Sequence, residues 1–63
     1  MTIRQIRESQ GLTPTQLAAK ANVSAQTVYR IERGDPVGRV YIARVCNALG
    51  VKMDEVEGLN FRD

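Results

Sequence analysis

The stretch TPTQLAAKANVSAQTVYRIERG, from Thr13 to Gly34, carries two helix starts, one tight turn and one helix stop within 22 residues. Thr13 is a good N-cap, Pro14 suits the first helical position, and Gln16 closes a capping box, so a helix is predicted over Pro14–Ala21. Asn22 tolerates the left-handed conformation better than any residue except Gly and marks the turn. Ser24 caps a second helix, Ala25–Arg33, which Gly34 ends. Leu17, Ala18 and Ala21 face inward from the first helix, and Val28 and Ile31 from the second. At 100° per residue, Gln26, Tyr29, Arg30 and Arg33 fall on the side opposite Val28 and Ile31.

Working outward, Thr2 and Gln5 form another capping box, which starts a helix over Ile3–Gln10 with Ile3 and Ile6 inside and Gly11 as its stop. After Gly34, Asp35 to Val37 read as a loop. Gly38 is the N-cap of a helix over Arg39–Leu49, and Val37 is placed to staple onto Ile42. Ile42, Val45, Cys46 and Leu49 make its buried stripe, and Gly50 ends it. A last short helix is expected over Met53–Glu57, its acidic first turn (Asp54, Glu55) matching a helix N-terminus. No segment alternates with period two for long enough to argue a strand. The predicted fold is therefore all-α, a compact five-helix bundle forming one domain over residues 1–63, with no linker or repeat.

Composition narrows the function. A chain of 63 residues buries only about 60% of its unfolded surface, enough for one small core and little for an enclosed pocket. There is no His and a single Cys, Cys46, which excludes an internal disulfide and leaves too few ligands for a structural zinc. That usage fits a reducing cytosol, and Cys46 is expected to be a small buried apolar residue. No apolar run approaches the roughly 20 residues of a membrane span, and no signal-like segment opens the chain. Met1 stands just ahead of the first helix, so no long N-terminal arm is expected to wrap a ligand. Without His, a nucleophile–base pair or a carboxylate dyad facing a cleft, an enzyme is not expected, and no cofactor or metal is implied.

The net charge of +2 is mild, but it is unevenly spread. Residues 1–49 hold seven basic against three acidic side chains (+4), and residues 50–63 hold two against four (−2). A basic end and an acidic end are expected when one surface faces phosphates and the other does not. Two helices joined by a short turn can hold the second one proud of the body, where it fits the major groove of duplex DNA.

Three segments in this order, GLTPTQLAAKANVS, TVYRIERG and ARVCNALGV, make the chain resemble the helix-turn-helix domains of the phage repressor and Cro class, the XRE-like regulators. The resemblance runs from Ile3 to Leu59 and implies a repressor-like bundle whose helix-turn-helix is formed by helices 2 and 3. It implies sequence-specific binding of double-stranded DNA, in the cytoplasm of a bacterium or from a phage, by a transcriptional regulator that represses by default. Ala18, Val28 and Ile31 match the motif's packing positions. Asn22 stands where relatives usually place a turn Gly. Pro14 stands where many place a phosphate-contacting Gln, so Thr13, Thr15 or Gln16 is left to supply that clamp.

Ala25, Gln26, Thr27 and Arg30 match the base-facing positions of the family, with Ser24 just ahead. Gln26 can pair with adenine N6 and N7, and Arg30 can fork onto guanine O6 and N7 or hold a phosphate. Ala25 and Thr27 can reach a thymine methyl. Ser24, beyond capping, and Tyr29 can approach phosphates. Arg33 and Arg39 bracket the loop where relatives track the DNA backbone. Arg7 and Glu32 match a family ion pair joining helix 1 to helix 3.

Leu59 and Phe61 have two readings: they cap the core, or they form a patch for a homodimer that sets two recognition helices one DNA turn apart, about 34 Å, on a palindromic operator. A second functional class stays open. In it the chain is an antitoxin-like or adaptor module that docks a protein partner through Asp54, Glu55, Glu57, Leu59 and Phe61.

Overall fold

The computed structural model describes residues 1–62. Four α-helices follow one another: α1 (Ile3–Ser9), α2 (Pro14–Ala21), α3 (Ala25–Arg33) and α4 (Arg39–Leu49). Two two-residue strands, β1 (Val37–Gly38) and β2 (Phe61–Arg62), and one 3-10 turn, Met53–Glu55, complete the path.

Local chemistry accounts for the helix starts. Thr2 Oγ accepts from the Gln5 amide at 3.2 Å while Gln5 Oε1 accepts from the Thr2 amide at 2.9 Å. Thr13 and Gln16 repeat the exchange at 3.1 and 2.9 Å, and Ser24 Oγ takes the Thr27 amide at 3.2 Å. Each bond satisfies a donor that a helix start would otherwise leave orphaned. Between α2 and α3, Asn22 adopts φ 58°, ψ 46°, the left-handed turn that sets one helix across the other.

The core gathers one stripe from each helix. Leu17, Val28, Ile42, Val45 and Cys46 are almost wholly inaccessible, and Ala18, at 3% exposed, lets α3 approach α2 closely. Val37 and Ile42 are both buried in this cluster. Polar ties lock the helices in place: Gln10 Nε2 donates to the Leu49 carbonyl at 2.8 Å, covering the exposed end of α4.

The structure departs from the sequence reading after Gly50. The expected fifth helix is one 3-10 turn that stops at Glu55, so the bundle has four α-helices rather than five. Val56 is already extended (φ −108°, ψ 132°), and the Glu57 amide donates to the Met1 carbonyl at 3.0 Å, forming a parallel bridge between Glu57 and Thr2. A helix through Glu57 would forfeit that bond and turn Val56, packed against the core, away from it. The expectation of no strand is likewise corrected. β1 and β2 pair in parallel, Val37 with Phe61 and Gly38 with Arg62, and two-residue strands are too short to leave a period-two pattern.

Candidate nucleic-acid interface

α3 presents a ridge to solvent. Gln26, Tyr29, Arg30 and Arg33 are all exposed, while Val28 and Ile31 anchor the opposite side in the core. Arg30 takes part in no ion pair among the described residues. Arg33 instead donates to Asp35 Oδ2 from Nη2 at 2.6 Å and from Nε at 3.2 Å. That pair is exposed on both sides, so it contributes little and a phosphate can displace it.

Two clefts flank the ridge. One, of about 380 Å³, is lined by Arg4, Arg7, Pro14, Tyr29, Glu32 and Arg33 and lies beside the start of α2. The other, of about 90 Å³, is lined by Thr27, Arg30, Pro36, Val37, Gly38, Tyr41 and Arg62. A helix seated in a major groove runs between two phosphodiester strands, so a convex polar ridge between two basic hollows matches the shape of duplex DNA.

The remaining sequence-derived positions fall as follows. Thr13 and Gln16 spend their oxygens on each other's amides, which leaves the Gln16 NH2 as a donor. Thr15 is exposed in the first turn of α2. The Ser24 and Thr27 hydroxyls meet at 2.9 Å. Ala25 is half-buried against the core, so less of it is offered to a base than of Gln26. Arg39 is not among the residues that line the Arg30 cleft. Its guanidinium stacks over the Phe61 ring at 4.3 Å and lines a third cleft with Met53, Asp54 and Phe61. Leu59 and Phe61 are half-buried and pack on the core.

Behind the ridge stands an ion pair that holds α3 at its angle. Arg7 Nε donates to Glu32 Oε2 at 2.6 Å, Nη2 donates to Oε1 at 3.2 Å, and Nη1 donates to the Leu12 carbonyl at 2.8 Å. Arg7 is only 8% exposed. Its hydrogen bonds to Glu32 raise the guanidinium pKa further above its ordinary value, against the opposing effect of burial. The fork joins α1 to α3 and to the loop that enters α2, and a buried charge so fully bonded is satisfied.

Sequence reasoning missed Arg4, Tyr41 and Arg62. Arg4 sits one turn before Arg7 on α1 and could have been read from that spacing. Tyr41 and Arg62 reach the ridge only through the packing of α4 and the β1–β2 pairing, which no local pattern signals.

A convex, partly cationic helix held over a two-helix turn defines the helix-turn-helix class of DNA-binding domain. The family model described as helix-turn-helix matches residues 3–56. The chain belongs to this family, in its Cro and phage-repressor (XRE-like) form, whose members are DNA-binding regulatory domains rather than enzymes. No curated protein and no solved structure matches the chain. No helix among the described residues is long and apolar enough to cross a membrane.

Proposed function

We propose that the protein is a transcriptional repressor that binds a palindromic operator as a homodimer and excludes polymerase from it. The observation that carries this reading is the exposed Gln26–Arg30–Arg33 ridge set between two basic clefts. Gln26 and Arg30 read base edges, Arg30 keeping part of its five-donor fork for the neighbouring backbone phosphate, with Thr27 and the remaining exposed part of Ala25 on thymine methyls. Thr15, the Gln16 NH2, Tyr29 and Arg33 grip one phosphate strand, and the α3 start at Ser24 adds backbone donors. Thr13 supports that grip as the cap of α2, and Arg39, stacked on Phe61, is offered to the DNA backbone beyond the loop after α3.

Two copies are needed because one module of this size makes few phosphate contacts and binds weakly alone. Since Leu59 and Phe61 already pack within the protomer, a dimer through them uses only the part of each side chain that stays exposed. The same burial reduces the apolar surface available to a protein partner at the C-terminal end.

The test is a selection from random duplex DNA, followed by titration of the recovered duplex at several salt concentrations, with wild type beside Arg30→Ala. A palindrome is expected, with binding that falls steeply as salt rises and a loss of about 1–3 kcal/mol for Arg30→Ala. No enrichment, or weak binding indifferent to both salt and Arg30, would replace this reading with docking of a protein partner.

A further inference from the structure

We propose that the C-terminal strand β2 acts as a second DNA-binding element. It carries Arg62 back to the recognition helix, where Arg62 and Arg30 hold one backbone phosphate of the duplex in the cleft between them. The proposal rests on the DNA-binding reading above and adds a residue from the acidic end of the chain to its interface.

Three ties bring β2 to this place. The Val37 amide donates to the Asn60 carbonyl at 3.0 Å, Asn60 Nδ2 donates to the Gly34 carbonyl at 3.3 Å, and Gly38 pairs with Arg62 in the parallel ladder. All three partners lie at the end of α3 or in the segment just after it, so β2 is fastened to the part of the chain that leaves the recognition helix. Successive strand residues point to opposite faces. Phe61 turns toward the core, under the Arg39 guanidinium at 4.3 Å, and Arg62 turns to the other face, where it lines the cleft with Thr27, Arg30 and Tyr41.

The cleft suits a phosphate in size and charge. Its volume of about 90 Å³ leaves room for a tetrahedral anion. Two arginines face it, and the described residues that line it include no carboxylate. Neighbouring guanidinium groups repel each other, and an anion bound between them removes that repulsion. Thr27 and Tyr41 are neutral residues of the same lining. Gly38 keeps the hollow open, since a Cβ there would sit 3.2 Å from Tyr41 Cδ2. The cleft on the other flank of α3 faces the opposite strand, so β2 completes a two-sided grip.

The experiment compares wild type, Arg62→Ala and Arg62→Lys on two probes: the duplex recovered by selection and a 20-base-pair duplex of scrambled sequence. Arg62→Ala is expected to weaken both by a similar factor of several-fold and to lower the salt slope by about 0.9, the signature of one phosphate contact. Arg62→Lys is expected to keep most of the slope. A scan placing one uncharged methylphosphonate at a time in the selected duplex should find a position that weakens wild type more than Arg62→Ala, the remaining loss being the share of Arg30. Urea midpoints of the three proteins confirm that β2 stays docked. Should Arg62→Ala unfold β2, Arg62→Gln, which keeps a long polar stem without the charge, takes its place in the scan with the same two outcomes. Wild-type binding with unchanged slope in Arg62→Ala and no such position would overturn the role of Arg62 alone. Failure of wild type on every duplex would overturn the DNA-binding reading itself.

Discussion

Arg7 illustrates how much one residue can carry in a chain this small. Its guanidinium is buried, forked onto Glu32 and bonded to the Leu12 carbonyl, so it joins three segments at a point water barely reaches. Removing either partner strands a charge. Arg7→Ala or Glu32→Ala should each cost about 3–5 kcal/mol. The whole chain is worth only about 3–9 kcal/mol at typical stability per residue, so either variant lies close to unfolding. A double replacement by apolar residues of similar volume, Arg7→Met with Glu32→Leu, should recover most of the loss, because the uncompensated charge is gone. Urea denaturation of the four proteins measures this, and additive single losses below about 1 kcal/mol would show that the pair is not what holds α3.

At the scale of elements, the α2–turn–α3 unit depends on backbone as much as on side chains. Asn22 is the one described non-glycine residue with positive φ, and its carbonyl accepts a long bond, 3.4 Å, from Arg44 Nη1 on α4. A β-branched residue in that conformation is strained. Asn22→Val is expected to lower stability by about 1–2 kcal/mol, whereas Asn22→Gly should stay within about 0.5 kcal/mol of wild type. Thermal melts would decide it, and equal losses for the two would mean that the Asn side chain, not the turn geometry, is what the site requires. The C-terminal elements obey different physics. Asp54 and Glu55 favour a helix start, and a single 3-10 turn does form there, but the bridge to Thr2 and the packing of Val56 outweigh its extension.

For the whole molecule, Cys46 offers a probe of global opening. It is 1% exposed at the centre of the core, and burial pushes its thiol pKa up. The folded state therefore keeps its proton where the unfolded chain begins to lose it, above the ordinary thiol value of about 8.5. Stability from this group is fully present below that pH and falls as pH rises toward the folded value. A thiol reagent at pH 8 should label the native protein only at the rate of unfolding. The stability of wild type should decline above about pH 9 more than that of Cys46→Ala. Rapid native-state labelling, or parallel pH profiles, would place the thiol nearer solvent than the structure does.

What the residues determined unaided was local. The capping boxes at Thr2 and Thr13, the cap at Ser24, and the turn at Asn22 each act within about four residues, so the starts of α1 to α3 and the outward set Gln26, Tyr29, Arg30 and Arg33 were legible directly. The inward stripes of Leu17, Val28, Ile42 and Val45 were equally legible, because helical period and burial coincide. Dividing the charge along the chain was misleading at one point: it assigned Arg62 to the acidic end, whereas β2 returns it beside Arg30. Only the tertiary structure decided that placement, the stacking of Arg39 on Phe61, and the choice of an extended Val56 over a fifth helix. Helix caps close small hydrogen-bonded rings that neighbouring residues can specify. The β1–β2 pairing joins Val37 to Phe61 across the folded chain, and its register exists only once α4, which separates the two strands in sequence, has packed against both.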